Sequence, residues 1–362
     1  MSQLTIFQER ITAVRQKLAE WEVDGLLISS PTNRRWLSGF TGSNGQLLVT
    51  ADKALIATDF RYFTQAIREA PDFGLFKHQR TLADTRNFLA EAGVNRVGVE
   101  AKHTTLEQMD ELIQVEDVTW VGLAKTVEPM RMVKTAVEIE RIQKACDIVD
   151  GVMAQVPQIA KIGMTEYAVA WELEKALREA GAEALAFDII VSGGSNSPLP
   201  HHHPGSRRLE AGDALIVDMG AQVDGYKSDL TRSFYLGEKA SVRYFELYQL
   251  VLGAQTAVFD QAKPGMTLKA VDALAREVFA NAGHAEHFGH GLGHGIGLDI
   301  HEDPFFSPRA SEEDTVAVGM VVTIEPGCYL PEGIGIRLEE TAVMTENGLV
   351  PLTHCPKEPN IP

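Results

Sequence analysis

The sequence has little of several features that mark simple classes of protein. Its 362 residues include three cysteines, and their wide spacing argues against a disulfide framework and against a structural cysteine-zinc site. No apolar run approaches the roughly 18 residues that a membrane span needs. Basic residues are scarce, with 33 Lys and Arg against 50 Asp and Glu, which gives a net charge of −17. We therefore expect neither nucleic acid nor an anionic membrane surface as a partner.

The amino terminus, MSQLTIFQER, also lacks the basic segment and the apolar core of a signal peptide, so we expect a cytoplasmic protein. The composition, 44% hydrophobic and 23% charged, is ordinary for a soluble globular protein. This length predicts two domains of roughly 100–200 residues each. Eight of the eleven histidines lie between His201 and His301, so we expect the chemistry in the carboxy-terminal half.

The first 125 residues alternate helical and strand patterns. Apolar residues at spacings of four and three predict a first helix over 7–21. Short apolar runs predict strands, and amphipathic stretches between them predict further helices: strands at 26–28, 46–50, 54–58, 96–100 and 118–121, helices near 61–70, 84–92 and 104–114. This pattern predicts an α/β domain over residues 1–125, with a mixed sheet and helices on its faces.

The periodicity lapses around Pro129, which predicts a linker over 126–135 and a second domain over 136–362. The second domain opens with a predicted helix over 136–160 that Pro157 should kink or end. An internal repeat follows. KIGMT at 161–165 and KPGMT at 263–267 each open a predicted helix, with a threonine suited to the N-cap and a glycine, Gly181 or Gly283, suited to the C-terminal end. The two N-cap threonines are 102 residues apart (267 − 165 = 102), and the two glycines are separated by the same distance.

The repeat extends to strands that carry acids. LIVDMG at 215–220 resembles VTIEPG at 322–327, and a second acid follows in each half. Two αβ halves related by a pseudo-two-fold axis would bring four carboxylates to one point: Asp218, Asp229, Glu325 and Glu339. Each acid alone also fits a solvated strand end. Together in a dry cleft, however, they require cations, because each anion raises the pKa of the next.

A glycine-rich histidine segment, His290 to His301, accompanies these acids. Its glycines disfavour a regular helix and allow the backbone to approach a site closely. Imidazole and carboxylates together suit Mn²⁺, Co²⁺, Zn²⁺ or Fe²⁺. Water bridging two such ions loses a proton near neutral pH, so a metal-bridging hydroxide is the expected nucleophile.

The acids and His294 stand in recognisable contexts: VDMG, SDLTRSF, GHGIGLDIHE, TIEPG and GIRLEE. Five residues, Asp218, Asp229, His294, Glu325 and Glu339, thereby resemble the ligand set of the M24 metallopeptidases. Three further segments resemble the Xaa-Pro group of this family, the prolidases and aminopeptidases P. They are SPLPH at 197–201 and, in the amino-terminal domain, residues 33–45 and 58–62. The resemblance implies a pita-bread catalytic domain of the α+β class and two divalent ions, Mn²⁺ before Co²⁺, Zn²⁺ or Fe²⁺.

The resemblance also implies roles. Asp229 is expected to bind one ion in bidentate fashion and His294 the other, while Asp218 and Glu339 complete or bridge the pair. Glu325 is expected to bind an ion and to act as general base and then general acid. Three histidines should line the substrate cleft, and one arginine should contact substrate or order Glu339: His201, His290, His301 and Arg337. Arg337 and Glu339 are spaced to share one face of a predicted strand, and Thr231 is a candidate partner of the ligands.

The expected activity is hydrolysis of the bond before proline in peptides with proline second, by a protein that the resemblance implies is a homodimer. Phe305 stands where some dipeptidases of the family carry arginine, so we slightly favour an Xaa-Pro aminopeptidase over an Xaa-Pro dipeptidase. The complete ligand set argues against a creatinase-like amidinohydrolase and against a catalytically silent binding protein. The amino-terminal domain and His201 argue against a methionine aminopeptidase.

Other polar residues have structural interpretations. We expect His202 and His203 to face solvent, and Cys328 to act as a small buried hydrophobe. His284 and His287 follow the second repeat helix and are expected to interact with its end rather than to bind metal. Asp59 and Arg61 fit either a turn or a contact with a neighbouring subunit's cleft.

Overall fold

The computed structural model of the protein describes residues 5–79, 81–237 and 239–361. They form two compact units that divide between Arg131 and Met132. Among the described helices, none is both long and apolar enough to cross a membrane.

The amino-terminal unit contains a mixed sheet in the order β4-β3-β2-β1-β5-β6, in which β2 runs antiparallel to β1 and β3 while β5 and β6 run parallel to β1. Leu89 of α4 and Leu112 of α5 pack with strand residues such as Leu27 and Val97 in its core. The elements are α1 Ile6–Lys17, β1 Gly25–Ile28, α2 Pro31–Ser38, β2 Gln46–Thr50, β3 Ala54–Thr58, α3 Phe63–Glu69, β4 Gly74–Lys77, α4 Leu82–Ala92, β5 Arg96–Glu100, α5 Leu106–Leu112, β6 Thr119–Leu123 and α6 Glu128–Arg131.

Three elements of this unit have no counterpart in the sequence analysis: α2, β4 and α6, the last within the predicted linker. Helix α2 begins at the Ser30 N-cap with Pro31 in its first turn, but its buried face carries polar side chains. Asn33 is one of these, and its amide donates to Glu100 Oε1 at 2.7 Å. Hydrophobic periodicity misses such a helix because three of its five buried residues, Asn33, Arg34 and Ser38, are polar. Strand β4 lacks a buried face and therefore lacks the alternation typical of a half-buried strand.

The turn after β3 holds the two charged residues whose role the sequence left open. Arg61 makes two bonds to the Asp59 carboxylate, from Nε at 2.8 Å and from Nη2 at 2.7 Å. The pair therefore stabilises this turn within the unit.

The carboxy-terminal unit contains two larger sheets, in the orders β20-β12-β9-β8 and β14-β13-β15-β18-β19, and two smaller ones, β11-β10-β7 and β16-β17. Its elements are α7 Ala136–Met153, α8 Val156–Ile159, α9 Glu166–Glu179, β7 Ala184–Leu185, β8 Ile190–Gly193, β9 Ala214–Met219, β10 Ala221–Val223, β11 Tyr226–Lys227, β12 Leu230–Leu236, α10 Val242–Gln261, α11 Leu268–Asn281, β13 Gly293–Gly295, β14 Glu302–Phe306, β15 Val321–Ile324, β16 Gly327–Leu330, β17 Ile334–Arg337, β18 Glu340–Thr345, β19 Gly348–Pro351 and β20 Asn360–Ile361.

The predicted internal repeat is confirmed in this unit. Helices α9 and α11 both have 14 residues, and their N-caps are Thr165 and Thr267. Each threonine hydroxyl accepts a bond of 3.1 Å from the backbone N–H three residues on. In each half an antiparallel strand pair accompanies the helix, β9 with β12 and β15 with β18. Helices α7 and α9 cover the first pair, and α10 and α11 cover the second.

Candidate metal centre

The two strand pairs position the four acids at equivalent places. Asp218 lies near the end of β9 and Glu325 directly follows β15, whereas Asp229 and Glu339 directly precede β12 and β18. Backbone bonds join the halves at this point, since Glu339 N–H donates to the carbonyl of Thr231 at 3.1 Å. The Thr341 hydroxyl likewise donates to the carbonyl of Asp229 at 2.8 Å. The pseudo-two-fold arrangement therefore brings these carboxylates to one place.

His294 is held by the middle of β13, between two glycines. A Cβ on Gly293 would overlap the Thr323 carbonyl oxygen, and one on Gly295 would overlap that of Asp303. These glycines therefore allow the close backbone approach that the sequence predicted. The His294 backbone N–H donates to Thr323 Oγ1 at 3.1 Å, which fixes the strand beside β15.

Ligand atoms of Asp229, His294 and Glu339 lie within 4.8 Å of one another, and all three residues are buried. His294 Nε2 lies 3.6 Å from Asp229 Oδ2 and 3.4 Å from Glu325 Oε1. Its other ring nitrogen, Nδ1, lies 3.1 Å from the Gly295 carbonyl oxygen and donates to it. That bond assigns the proton to Nδ1 and leaves the Nε2 lone pair facing the carboxylates, the arrangement typical of a metal-binding imidazole.

Burial and mutual repulsion disfavour ionised acids at this site. Burial, then the charges of Glu339 and Asp218, raises the pKa of Asp229 well above its usual range. Burial and the charge of Glu325 do the same to the pKa of Glu339, and burial raises the pKa of Glu325 to about 7. Burial lowers the pKa of His294 to about 4, so this imidazole is neutral at neutral pH and able to bind a cation.

Asp218 has an unequal environment around its carboxylate. Arg337 Nη2 donates to Oδ2 at 2.7 Å, whereas Oδ1 is buried and has no hydrogen-bond partner among the residues described. A buried acceptor without a partner is costly, and a cation would satisfy it. The charges of the surrounding side chains also favour a cation, because four carboxylates and a neutral imidazole lie beside one guanidinium, that of Arg337. The residues present therefore fit divalent metal ions.

One residue at the site was missed by the sequence analysis. Tyr329 accepts a bond of 3.0 Å from Arg337 Nη1 and donates one of 3.0 Å to His290 Nε2. His290 Nδ1 lies 2.8 Å from the Gly291 carbonyl oxygen and donates to it, so both ring nitrogens are engaged. Burial lowers the pKa of His290 to about 4 and raises that of Tyr329 to about 12, so both groups are neutral at neutral pH. No spacing or motif in the sequence pointed to Tyr329.

The remaining predicted site residues line the same cavity, which has a volume of about 570 Å³. His201 and His301 lie in its exposed part, and the His301 ring centroid is 4.3 Å from that of His294. Apolar side chains form another part of the lining: Phe187, Ile190, Ile300, Phe305 and Phe306. The structure thus gathers around one cavity every residue that the sequence assigned to the site.

Two local expectations were wrong. Arg337 and Glu339 do not share a strand, because β17 ends at Arg337 and Glu339 lies between β17 and β18. Both side chains nevertheless line the cavity. His202 does not simply face solvent, since its Nε2 lies 2.8 Å from Oε2 of the buried Glu166. Thr231 donates to Glu339 Oε2 at 2.7 Å, as expected of a partner of the candidate ligands.

Known proteins resemble this chain along its whole length. Residues 140–346 match metallopeptidase family M24, and residues 10–133 match the creatinase/prolidase N-terminal domain. The Xaa-Pro dipeptidase of Pyrococcus horikoshii is 33% identical over 362 residues, covering 98% of this chain and 99% of the relative. An Xaa-Pro dipeptidase structure from Bacillus anthracis has a TM-score of 0.95 at 34% identity, covering 98% and 99% of the two chains. An X-Pro aminopeptidase structure from Thermotoga maritima has a TM-score of 0.88 at 34% identity, covering 97% and 99%.

These matches agree with the internal repeat, the acid and histidine cluster and the mixed-sheet amino-terminal unit. The repeat and its paired sheets form the pita-bread fold that the sequence predicted, with an α/β unit before it. The chain belongs to metallopeptidase family M24.

Proposed function

We propose that this metallopeptidase is an Xaa-Pro dipeptidase that hydrolyses the bond between the two residues of its substrate. The observation that carries the proposal is the gathering of Asp229, His294 and Glu339 within 4.8 Å, in a cavity that the carboxylates of Asp218 and Glu325 also line. These five residues would hold two divalent ions, with Mn²⁺ preferred because oxygen ligands predominate. When bound, the ions would lower the pKa of a water molecule and polarise the scissile carbonyl.

The residues of the chain supply the proton transfers. Glu325 lines the cavity with a partly exposed side chain, so its carboxylate can take a proton and return it. Its carboxylate would accept a proton from the attacking water and deliver it to the proline nitrogen as the bond breaks. Thr323 Oγ1 donates to Glu325 Oε1 at 3.2 Å and so orients the carboxylate.

The cavity lining provides for substrate binding. Apolar side chains such as Phe187 and Ile190 would contact the proline ring, and His201 and His301, in the exposed part, would donate to substrate oxygens. His290 would act indirectly, because Tyr329 and Gly291 already engage its ring nitrogens. Arg337 would order Asp218 rather than bind the substrate carboxylate, since its donors are directed to Asp218, Tyr329 and the Pro200 carbonyl.

The preference for a dipeptide revises the slight preference for an aminopeptidase drawn from Phe305. Support comes from the relatives, because the Pyrococcus horikoshii protein and the Bacillus anthracis structure are both named Xaa-Pro dipeptidase. The second candidate, an Xaa-Pro aminopeptidase, is favoured by Phe305 itself, which is 47% exposed and places no cation in that part of the cavity. We also propose that the chain acts as a homodimer, which sedimentation would test.

The decisive experiment compares Ala-Pro, Ala-Pro-Ala and Ala-Ala after the metal-free protein is reconstituted with Mn²⁺. We expect hydrolysis of Ala-Pro at a kcat/KM at least about tenfold above that of Ala-Pro-Ala, a difference of about 1.4 kcal/mol, and little hydrolysis of Ala-Ala. Faster cleavage of Ala-Pro-Ala would establish the aminopeptidase instead. Failure to cleave either proline peptide would refute both candidates.

A further inference from the structure

Three potential metal ligands meet on the face of β16 opposite the cavity. His284 and His287 flank a short 3₁₀ turn, Ala285–His287, and Cys328 is the second residue of β16. One ring nitrogen of each histidine and the cysteine Sγ lie within 4.8 Å of one another. Because side chains alternate along a strand, Cys328 points away from the face on which Tyr329 bonds to His290 and Arg337.

His284 interacts with the end of the preceding helix as the sequence predicted, but through its backbone N–H, which donates to the Phe279 carbonyl at 2.8 Å. The side chains of the two histidines face each other, with His284 Nδ1 at 2.9 Å from His287 Nδ1. In a tetrahedral zinc site, Zn–N distances of about 2.0–2.1 Å and a Zn–S distance of about 2.3 Å place ligand atoms about 3.3–3.6 Å apart. Small side-chain rotations would therefore open this pair around an ion.

Burial of the three residues suits a bound ion. Both histidines are half-buried, whereas Cys328 is 1% exposed, so an ion could enter past the imidazoles and meet a shielded thiol. Burial raises the pKa of Cys328 to about 11. The thiol therefore keeps its proton in the metal-free protein and would release it on binding an ion.

The neighbouring charges are mixed, with acids in the majority. Glu286 Oε1 lies 3.8 Å from His287 Nε2, and the charge of Glu332 acts on both His284 and Cys328. Arg243 acts on the same two residues with the opposite sign. Two carboxylates against one guanidinium favour a divalent cation here, and either acid or a water molecule could supply the fourth ligand.

We propose that His284, His287 and Cys328 form a zinc-binding site separate from the metal centre. A thiolate with two imidazoles selects Zn²⁺ strongly over Mn²⁺, whereas the carboxylate cluster accepts harder ions. The same protein would then hold different metals at its two sites. The competing structural explanation is a simple Nδ1–H···Nδ1 hydrogen bond between the histidines beside an inert thiol. This proposal is independent of the peptidase activity.

Cobalt(II) tests the proposal because a cobalt–thiolate bond gives a charge-transfer absorption in the near ultraviolet, and no cysteine lines the described part of the metal centre. We expect metal-free protein titrated with Co²⁺ to develop this band and Zn²⁺ to abolish it. Cys328→Ser should remove the band. His287→Gln should weaken Co²⁺ binding at this site at least about tenfold, because losing a ligand should cost no less than losing a partner that only supports a ligand.

Cys355→Ser is the matched control, since Cys355 is also buried, and it should retain the band. Zn²⁺ should also raise the melting temperature of the Cys355→Ser protein more than that of Cys328→Ser. Circular dichroism would establish that both variants fold. If Cys328→Ser does not fold, Cys328→Ala would replace it. Absence of the band at excess Co²⁺, its persistence in Cys328→Ser, or unchanged affinity in His287→Gln would overturn the proposal.

Discussion

Arg337 donates to only one of the two oxygens of Asp218, at 2.7 Å, and the other oxygen is buried without a partner among the described residues. Arg337 thus fixes the orientation of this carboxylate while leaving one oxygen for a metal ion. The guanidinium is itself 3% exposed and supplies the positive charge that offsets part of the acid cluster.

Replacing Arg337 with methionine should destabilise the metal-free protein. Removing one partner of a buried ion pair leaves an uncompensated charge, which costs about 3–5 kcal/mol of unfolding free energy. Urea unfolding of the metal-free protein would measure this loss. The control is Arg178→Met, which removes an exposed arginine 3.8 Å from Glu174 and should cost less than about 1 kcal/mol. Equal losses in the two variants would contradict the role assigned to Arg337.

Asp229→Asn and His294→Ala should each abolish hydrolysis of Xaa-Pro peptides by weakening metal binding. We expect affinity to fall by more than the roughly 10–100-fold typical of losing a partner that only supports a ligand. Metal content after dialysis, measured together with activity, would test this. Asp224→Asn is the control, because this acid is exposed and its one ion pair among the described residues is with Arg141, at 3.7 Å. The metal content of this variant should be unchanged. Full metal retention in Asp229→Asn would exclude this residue as a ligand.

The pH dependence of stability should report Glu325 together with Asp229 and Glu339, whose pKa values its charge raises. The folded-state pKa of Glu325, about 7, exceeds the roughly 4.5 of the unfolded chain, so the folded metal-free protein binds the proton more tightly. The resulting stabilisation is complete below about pH 4.5 and disappears as the pH rises through about 7. Histidines with lowered pKa values make the folded protein more stable as the pH rises, which opposes the effect of Glu325. Glu325→Gln is therefore the reference, because it retains these histidines.

We therefore expect the unfolding free energy of the metal-free wild type, minus that of Glu325→Gln, to fall steadily between pH 5 and 7 and to level off by pH 8. Urea unfolding at each pH supplies the measurement. Saturating Mn²⁺ should flatten the wild-type curve, because bound ions hold the carboxylates deprotonated. A difference independent of pH would show that Glu325 has an ordinary pKa.

Tyr329→Phe should lower kcat about tenfold without changing metal content. The hydroxyl links Arg337 to His290, and losing such a partner of site residues typically costs 10–100-fold. Steady-state kinetics and metal analysis would separate the two effects. Tyr248→Phe is the control, since its hydroxyl donates to the Lys357 carbonyl away from the cavity and should affect stability by about 1 kcal/mol but not kcat. An unchanged kcat in Tyr329→Phe would show that the Tyr329 hydroxyl does not contribute to catalysis.

The repeated motifs predicted that four acids converge, and the resemblance to family M24 added His294 to them. Asp218 and Glu325 occupy matching strand ends, and Thr165 and Thr267 cap matching helices, so spacing alone indicated where the acids meet. Tyr329 could not be predicted in this way, because its role depends on two partners, His290 and Arg337, that are distant in sequence. Tertiary contacts of this kind leave no local pattern.

The same limit applies to helix α2 and to the histidine pair. Asn33 is buried in α2 because a carboxylate 67 residues away accepts its amide hydrogen, which no apolar pattern encodes. His284 and His287 are close in sequence, but Cys328 joins them only through the packing of β16 against their turn. Their proximity could be recognised only from the folded chain.

Phe305→Arg should shift the substrate preference further toward dipeptides. Phe305 lines the cavity and is 47% exposed, so an arginine there would place a cation beside substrate bound in the cleft. The proline of Ala-Pro carries a free carboxylate, whereas that of Ala-Pro-Ala is in a peptide bond. An exposed ion pair contributes up to about 1 kcal/mol, so the ratio of kcat/KM values for the two peptides should rise up to about fivefold.

The gain should appear in KM and should shrink as salt screens the pair. Phe305→Leu keeps the position apolar and should leave the ratio unchanged, which separates charge from loss of the ring. If Phe305→Arg left the ratio unchanged at low salt, the proline carboxylate would not lie near this residue. The substrate would then bind with its carboxyl end toward another part of the cavity, and His201 and His301 would become the groups to test next.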